Sequence, residues 1–142
     1  MTTLTEIQNR LREFDKQGGW DKDPHEVNFM CLTTEIGELS KEIIEAWIET
    51  GKLIKTGTNY KEARNRVLAE RKDRIADEIA DCIIFLLKVA NYLKIDVGKA
   101  LNLKIAINEK RVWDIKKSFS SKSVFTDDDR FEIEGKPNEV EG

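Results

Sequence analysis

The sequence predicts an all-α fold, a bundle of four to five helices followed by a loosely ordered C-terminal tail. Apolar residues recur at spacings of three and four along most of residues 1–118, the period of a helix face and not of a strand. Turn-forming residues are confined to short stretches such as "QGGW", "DKDP" and "KTGTN" between the periodic runs. The end of the chain, "SSKSVFTDDDRFEIEGKPNEVEG", loses the period and turns polar. One domain is expected over residues 1–118 and a polar tail over 119–142.

Leu4, Ile7, Leu11 and Phe14 outline helix 1, roughly residues 3 to 16, with Thr3 or Thr5 as its cap. Pro24 suits the first turn of helix 2, whose face is drawn by Val27, Met30, Cys31, Ile36, Leu39, Ile43 and Trp47. That helix is expected to run to about Thr50, with Gly51 as its C-cap. Ile75, Ile79, Cys82, Ile83, Leu86, Ala90 and Leu93 define helix 3, and a break into two pieces near Arg71 is compatible with the pattern. Leu101, Ile105, Val112 and Ile115 define helix 4. In the tail, "RFEIE" allows at most a short strand.

Composition narrows the function. The chain has 142 residues, 39% of them hydrophobic, enough for one compact domain. Charged residues make up 36%, but 24 basic and 27 acidic side chains nearly cancel to a net charge of -3. No bulk attraction to nucleic acid or to an anionic membrane follows. The longest strongly apolar run, "IIFLL", is far shorter than the roughly 20 residues that cross a bilayer. The opening "MTTLTEIQNRLREF" is too charged for a secretory signal, so a cytoplasmic location is expected. Cys31 and Cys82 lack CxxC spacing and read as small apolar residues within helical patterns.

The informative feature is acidic. Glu35 and Glu38 in "EIGELSKEIIEAW" are three residues apart and share a helix face, and Glu42 and Glu45 continue the stripe. Glu78 and Asp81 repeat the arrangement on helix 3. Each pair flanks an apolar stripe, so two carboxylate pairs are expected to converge. Crowded carboxylates raise one another's pKa values unless a cation neutralises them. Oxygen-only ligands select hard ions, Mg²⁺ or Mn²⁺, which commonly serve phosphate chemistry. A single ExxE on a Lys/Glu-rich helix is usually a solvated face, and Glu42 and Glu45 fit an outer or solvated role; the second pair on another helix is what favours a metal site. A di-iron centre built from ExxH motifs is disfavoured, because the only histidine, His25, has no such spacing to the acids.

"EIGELSKEI" followed by "DEIADCIIFLLKVA" resembles the MazG-type branch of the all-α nucleoside triphosphate pyrophosphohydrolases, whose signature is ExxE on one helix and ExxD on the next. The resemblance spans roughly residues 4 to 115. It implies Mg²⁺-dependent hydrolysis of a (deoxy)nucleoside triphosphate to the monophosphate and pyrophosphate, with Glu35, Glu38, Glu78 and Asp81 as metal ligands. It also implies a homodimer or homotetramer, and a nucleotide partner without membrane or nucleic acid. Glu38, with Glu35 as the alternative, is the carboxylate expected to activate water. The family's phosphate and sugar contacts fall on Lys104 and Asn108, with Arg111 one turn further, and its base-holding aromatics fall near Trp20 and His25. The stretch between the two acid pairs is longer than is usual in the family, and the excess lies in "KLIKTGTNYKEARNRVLAERK".

The phosphate-binding reading also stands on residue chemistry. Lys104, Asn108 and Arg111 form one cationic, hydrogen-bonding strip suited to a triphosphate, although an exposed helix face explains Arg111 equally well. Arg74 and Lys88 are further candidates that fit surface positions better. Phe85, one turn after Asp81, suits either a nucleotide contact or the core, with the core favoured. Trp20 can stack on a base or plug a helix junction, while Trp47 and Trp113 read as packing residues. Two rival readings remain at this stage: a non-catalytic helical interaction module, and a relative acting on phosphoribosyl-ATP.

Overall fold

The computed structural model describes residues 1–118, with side chains described through Arg111. Four helices account for nearly all of it: α1 (Leu4–Gly18), α2 (His25–Lys55), α3 (Tyr60–Tyr92) and α4 (Val97–Ser118). A single 3-10 turn, Trp20–Lys22, links α1 to α2, and no strand occurs among the described residues. The all-helical expectation therefore holds. Trp113, the "RFEIE" stretch and the expected tail lie outside the described side chains or residues.

Local chemistry sets the helix ends. Thr3 opens α1 with a capping box: its hydroxyl accepts from the Glu6 backbone N–H while the Glu6 carboxylate accepts from the Thr3 N–H at 2.6 Å. Gly19 closes α1 in the left-handed region, φ 76°, where a side chain would be strained. Asn59 and Asp96 cap α3 and α4 by accepting from the backbone N–H groups of Glu62 and Lys99 at 2.9 Å each.

Two boundaries differ from the sequence expectation. Gly51 does not cap α2; the helix passes through it and ends four residues later. Gly57 is the terminating glycine, at φ 101°, with the Thr58 N–H donating to Leu53 O and the Gly57 N–H to Ile54 O, a Schellman arrangement. Likewise α3 does not break at Arg71 but runs without interruption for 33 residues. It ends on the same motif, with Lys94 at φ 57° in place of a glycine.

The described chain forms two compact units, one comprising residues 1–38 with the segment from residue 78 through α4, the other residues 39–77. In the first, Leu32, Leu87 and Ala90 are buried. A polar clasp holds its first helix: the buried Gln8 side chain donates to Ile95 O at 3.0 Å and to Asn91 Oδ1 at 3.2 Å, and accepts from the Val97 N–H at 3.0 Å. Asn91 returns a bond to Gln8 O. α1 is thereby fixed to the end of α3 and the start of α4.

In the second unit, Ala46, Ala63 and Val67 are buried, and so is Arg71, only 4% exposed. The guanidinium donates to Glu42 at 2.7 Å, to Glu45 at 2.9 Å and to both oxygens of Glu49 at 2.6 and 2.8 Å. This replaces the expected outer or solvated role for Glu42 and Glu45: they neutralise a buried arginine. Arg74 lies 3.8 Å from Glu42 and is exposed.

The apolar stripes expected to form the core are largely on the surface of this single chain. Ile36, Ile43, Ile79 and Ile83 are all exposed, and Trp47, expected as a packing residue, is 76% exposed. On α4 every described side chain from Leu101 to Arg111 is exposed.

Candidate metal centre and adjoining cavity

α2 carries Glu35 and Glu38 on one face, and α3 presents Glu78 opposite them, both within the first unit. One carboxylate oxygen from each of the three lies within 4.8 Å of the others. Glu35 and Glu78 are half-buried, while Glu38 is exposed. Of the four acids expected to converge, these three do so directly.

Asp81, one turn after Glu78, is exposed and stands outside that triplet, but close enough for its charge to act on Glu35. Burial first, and then the charges of Glu38 and Asp81, hold the Glu35 carboxyl above the usual carboxylate range. The Cys82 thiol is pushed up by burial and by Glu35, Glu78 and Asp81. Both shifts report a partly desolvated concentration of negative charge, which a divalent cation would relieve. All the donors are carboxylate oxygens, so the set fits a hard ion such as Mg²⁺ or Mn²⁺.

The same helix faces continue into a cavity. From Glu78, Phe85 and Lys88 follow at intervals that keep one face of α3, and from Glu35, Asn28 lies two turns back on α2. Glu35 lies seven positions after Asn28, and Lys88 seven positions after Asp81, a rise of about 10 Å in each case. Trp20, Asn28, Lys88 and Tyr92 are among the residues that line a cavity of about 340 Å³. Such a volume is at the small end of small-molecule sites.

Trp20, placed by the 3-10 turn, packs against Phe14 with ring centroids 5.4 Å apart. Lys88 reaches between aromatic rings, its Nζ 5.6 Å from the Trp20 ring centroid and 5.5 Å from that of Phe85. It also forms an ion pair of 3.0 Å with the buried Asp15. Lys88 is thus nearly buried, contrary to the surface position that its sequence context suggests. Sequence reasoning missed Asp15 altogether, since its partner lies on a distant helix. His25 begins α2 and stacks on Tyr92 at 4.9 Å, with Nδ1 3.1 Å from the Glu26 carboxylate. Phe85 is half-buried beside Lys88.

Comparison with protein-family models, curated proteins and solved structures gives no match. The assignment of function therefore rests on residue chemistry and geometry. Lys104, Asn108 and Arg111 lie exposed on α4, and no described contact joins them to the carboxylates or to the cavity. Trp20, by contrast, lies at the cavity wall, and Phe85 shares the Lys88 ammonium with it.

Proposed function

We propose that this chain is a Mg²⁺-dependent nucleoside triphosphate pyrophosphohydrolase of the MazG type, with Mn²⁺ as an alternative ion. The observation that carries the reading is the approach of Glu35, Glu38 and Glu78 from two helices to within 4.8 Å. Glu35, Glu38 and Glu78 would hold the ion, and Asp81 would add to the site's charge. When bound, the ion neutralises phosphate charge and lowers the pKa of a coordinated water.

The chain's own groups divide the remaining work. Glu38, the most solvent-accessible of the three, takes the proton as water attacks the α-phosphorus; Glu35 is the alternative base. The bond from that phosphorus to its bridging oxygen breaks, and pyrophosphate leaves. Lys104, Asn108 and Arg111 supply positive charge and hydrogen bonds for the phosphates and sugar. Trp20, with His25 and Phe85 nearby, holds the base. A separation of about 10 Å along each helix between acids and cavity suits a ligand with phosphates at one end and a ring at the other.

The active species is a homo-oligomer, dimer or tetramer. Its support is the exposure of Ile83, Leu86, Leu101 and Ile105 together with Trp47, more apolar surface than a stable single chain commonly leaves open. No described helix is long and apolar enough to cross a membrane.

The test is a panel of ribo- and deoxynucleoside triphosphates with Mg²⁺, scored for monophosphate and pyrophosphate, with Asp81→Asn and Glu38→Gln in parallel. Turnover that falls at least about a hundredfold in Glu38→Gln is expected. Absence of turnover across the panel, with no effect of metal on stability, would favour a non-catalytic helical module.

A further inference from the structure

Away from the carboxylates and the cavity, the turn between α2 and α3 concentrates positive charge. Between residues 52 and 66 five cations, Lys52, Lys55, Lys61, Arg64 and Arg66, stand against a single carboxylate, Glu62, in a chain whose total charge is -3. The near balance over the whole sequence, which gives no bulk attraction to a polyanion, conceals this local excess. The segment lies entirely in the second compact unit. Lys52, Lys55, Lys61 and Arg66 are exposed, and Arg64 is half-buried. Among the described residues neither Lys52 nor Lys55 makes a hydrogen bond or ion pair, although the charge of Lys52 acts on Glu49. Glu62 is engaged locally: its carboxylate accepts from the Asn59 carboxamide at 3.0 Å, while Asn59 caps its backbone N–H.

Folding accounts for part of this charge. Lys52 and Lys55 lie in the last turn of α2, where the helix dipole favours cations. The start of α3 is the opposite case: the dipole there favours acids, yet Lys61, Arg64 and Arg66 outnumber Glu62. The ion pair of Arg66 with Glu70, 3.1 Å, is exposed on both sides and offsets little. Cations kept where the helix disfavours them point to a use outside the fold. The remaining chemistry of the tip selects the partner. Ala63 is buried, and Ile54 and Tyr60 are the only large apolar side chains exposed between residues 52 and 66, too little apolar surface to seat on a bilayer. Tyr60 is 57% exposed and directly precedes Lys61, so an aromatic ring adjoins the cations. Cations that attract phosphate, interleaved with an aromatic face on which an unpaired base can stack, are the elements of a sequence-tolerant surface for single-stranded nucleic acid.

We propose that the α2–α3 tip binds the phosphate backbone of single-stranded nucleic acid without sequence preference, through Lys52, Lys55, Lys61 and Arg66, with Tyr60 stacking on a base. This goes beyond the hydrolase reading and does not rest on it, since none of these residues belongs to the carboxylate group or to the lining of the cavity.

The experiment is fluorescence anisotropy of an end-labelled, mixed-sequence single strand of about 20 nucleotides, titrated with the full chain in EDTA so that no metal bridges the two. A Kd of about 1 to 100 μM is expected at about 50 mM salt, with log K falling against log salt at a slope of about -3, the value for four backbone contacts to a single strand. The triple variant Lys52→Gln, Lys55→Gln, Lys61→Gln should bind at least about tenfold more weakly and bring the slope to about -1. Tyr60→Ala should bind at least about fivefold more weakly with the slope unchanged. Circular dichroism checks that each variant folds; if the triple variant does not, Lys55→Gln alone should reduce the slope by about 0.7. No binding at about 100 μM chain, affinity and slope unchanged in a folded lysine variant, or affinity unchanged in Tyr60→Ala overturns the proposal. Displacement of the oligonucleotide by polyglutamate as effectively as by unlabelled oligonucleotide also overturns it, and assigns the tip to an acidic protein instead.

Discussion

Glu35 on α2 and Glu78 on α3 hold carboxylate oxygens within 4.8 Å of each other, both half-buried, with the exposed Glu38 completing the group. Like charges at that separation oppose folding unless a proton or a cation intervenes. The expectations below follow from that relationship and from the contacts around it.

Glu35 links pH to metal binding. Its pKa is raised above 4.5 by burial, then by Glu38 and Asp81, so in the metal-free chain its stabilising contribution is present below that ordinary value and is lost as pH rises through the raised one. The ion needs the ionised carboxylate, so the two ligands compete. Thermal melts with and without millimolar Mg²⁺ should show a metal-induced rise in Tm near neutral pH. That rise should shrink on acidification while ordinary carboxylates are still ionised, and Glu35→Gln should abolish it.

The Arg71 cluster makes an opposite contribution. The hydrogen bond from Arg71 holds Glu49 below its ordinary value of 4.5, so this stabilisation is present above 4.5 and is lost as pH falls through the lowered value. Arg71→Ala leaves Glu42, Glu45 and Glu49 facing one another. It should lower Tm by about 5 °C or more at neutral pH and flatten the acid-induced loss of stability seen in the parent chain.

Gln8 ties α1 to the ends of α3 and α4 through four hydrogen bonds made by or to it. Gln8→Ala removes the three made by its side chain and leaves the Val97 N–H and the Ile95 carbonyl without that partner. Urea denaturation should register a loss of about 2 to 4 kcal/mol. A loss below about 0.5 kcal/mol would show that water replaces the side chain without penalty.

Self-association has its own test. Trp47 is 76% exposed and Ile44 55% exposed on the same stretch of α2. Sedimentation equilibrium should find the parent chain as a dimer or larger species, and Trp47→Glu should shift it toward the monomer. A parent chain that stays monomeric at high micromolar concentration would remove the oligomer from the account.

Much of this was legible in the sequence because it is periodic. A face repeating every three to four residues fixes the helices, and ExxE paired with a second acidic pair marks where two helices meet. Glycine was legible as a stop but not which glycine: Gly51 and Gly57 both follow apolar turns, and only the second takes a left-handed conformation. A break near Arg71 is compatible with the sequence because the segment passes there from charged to apolar, with the apolar period beginning at Ile75, whereas in the structure three glutamates from α2 bind Arg71 and α3 runs through it. The same limit hid Lys88 and Asp15, whose pairing is a tertiary event that no local spacing announces. Asn28 gave no signal either, since an asparagine in a first helical turn is unremarkable until its burial beside a cavity is known. The apolar stripes were correctly located on their helices, but periodicity says only that a face is apolar, and not whether the same chain covers it.

The central claim is that Glu35, Glu38 and Glu78 form a divalent-metal site, and calorimetric titration of Mn²⁺ into the parent chain and into Glu78→Gln tests it most directly. Saturable binding that is lost, or weakened at least about tenfold, in the folded variant is the expected result. No saturable binding to the parent chain, or equal affinity in the variant, would contradict it.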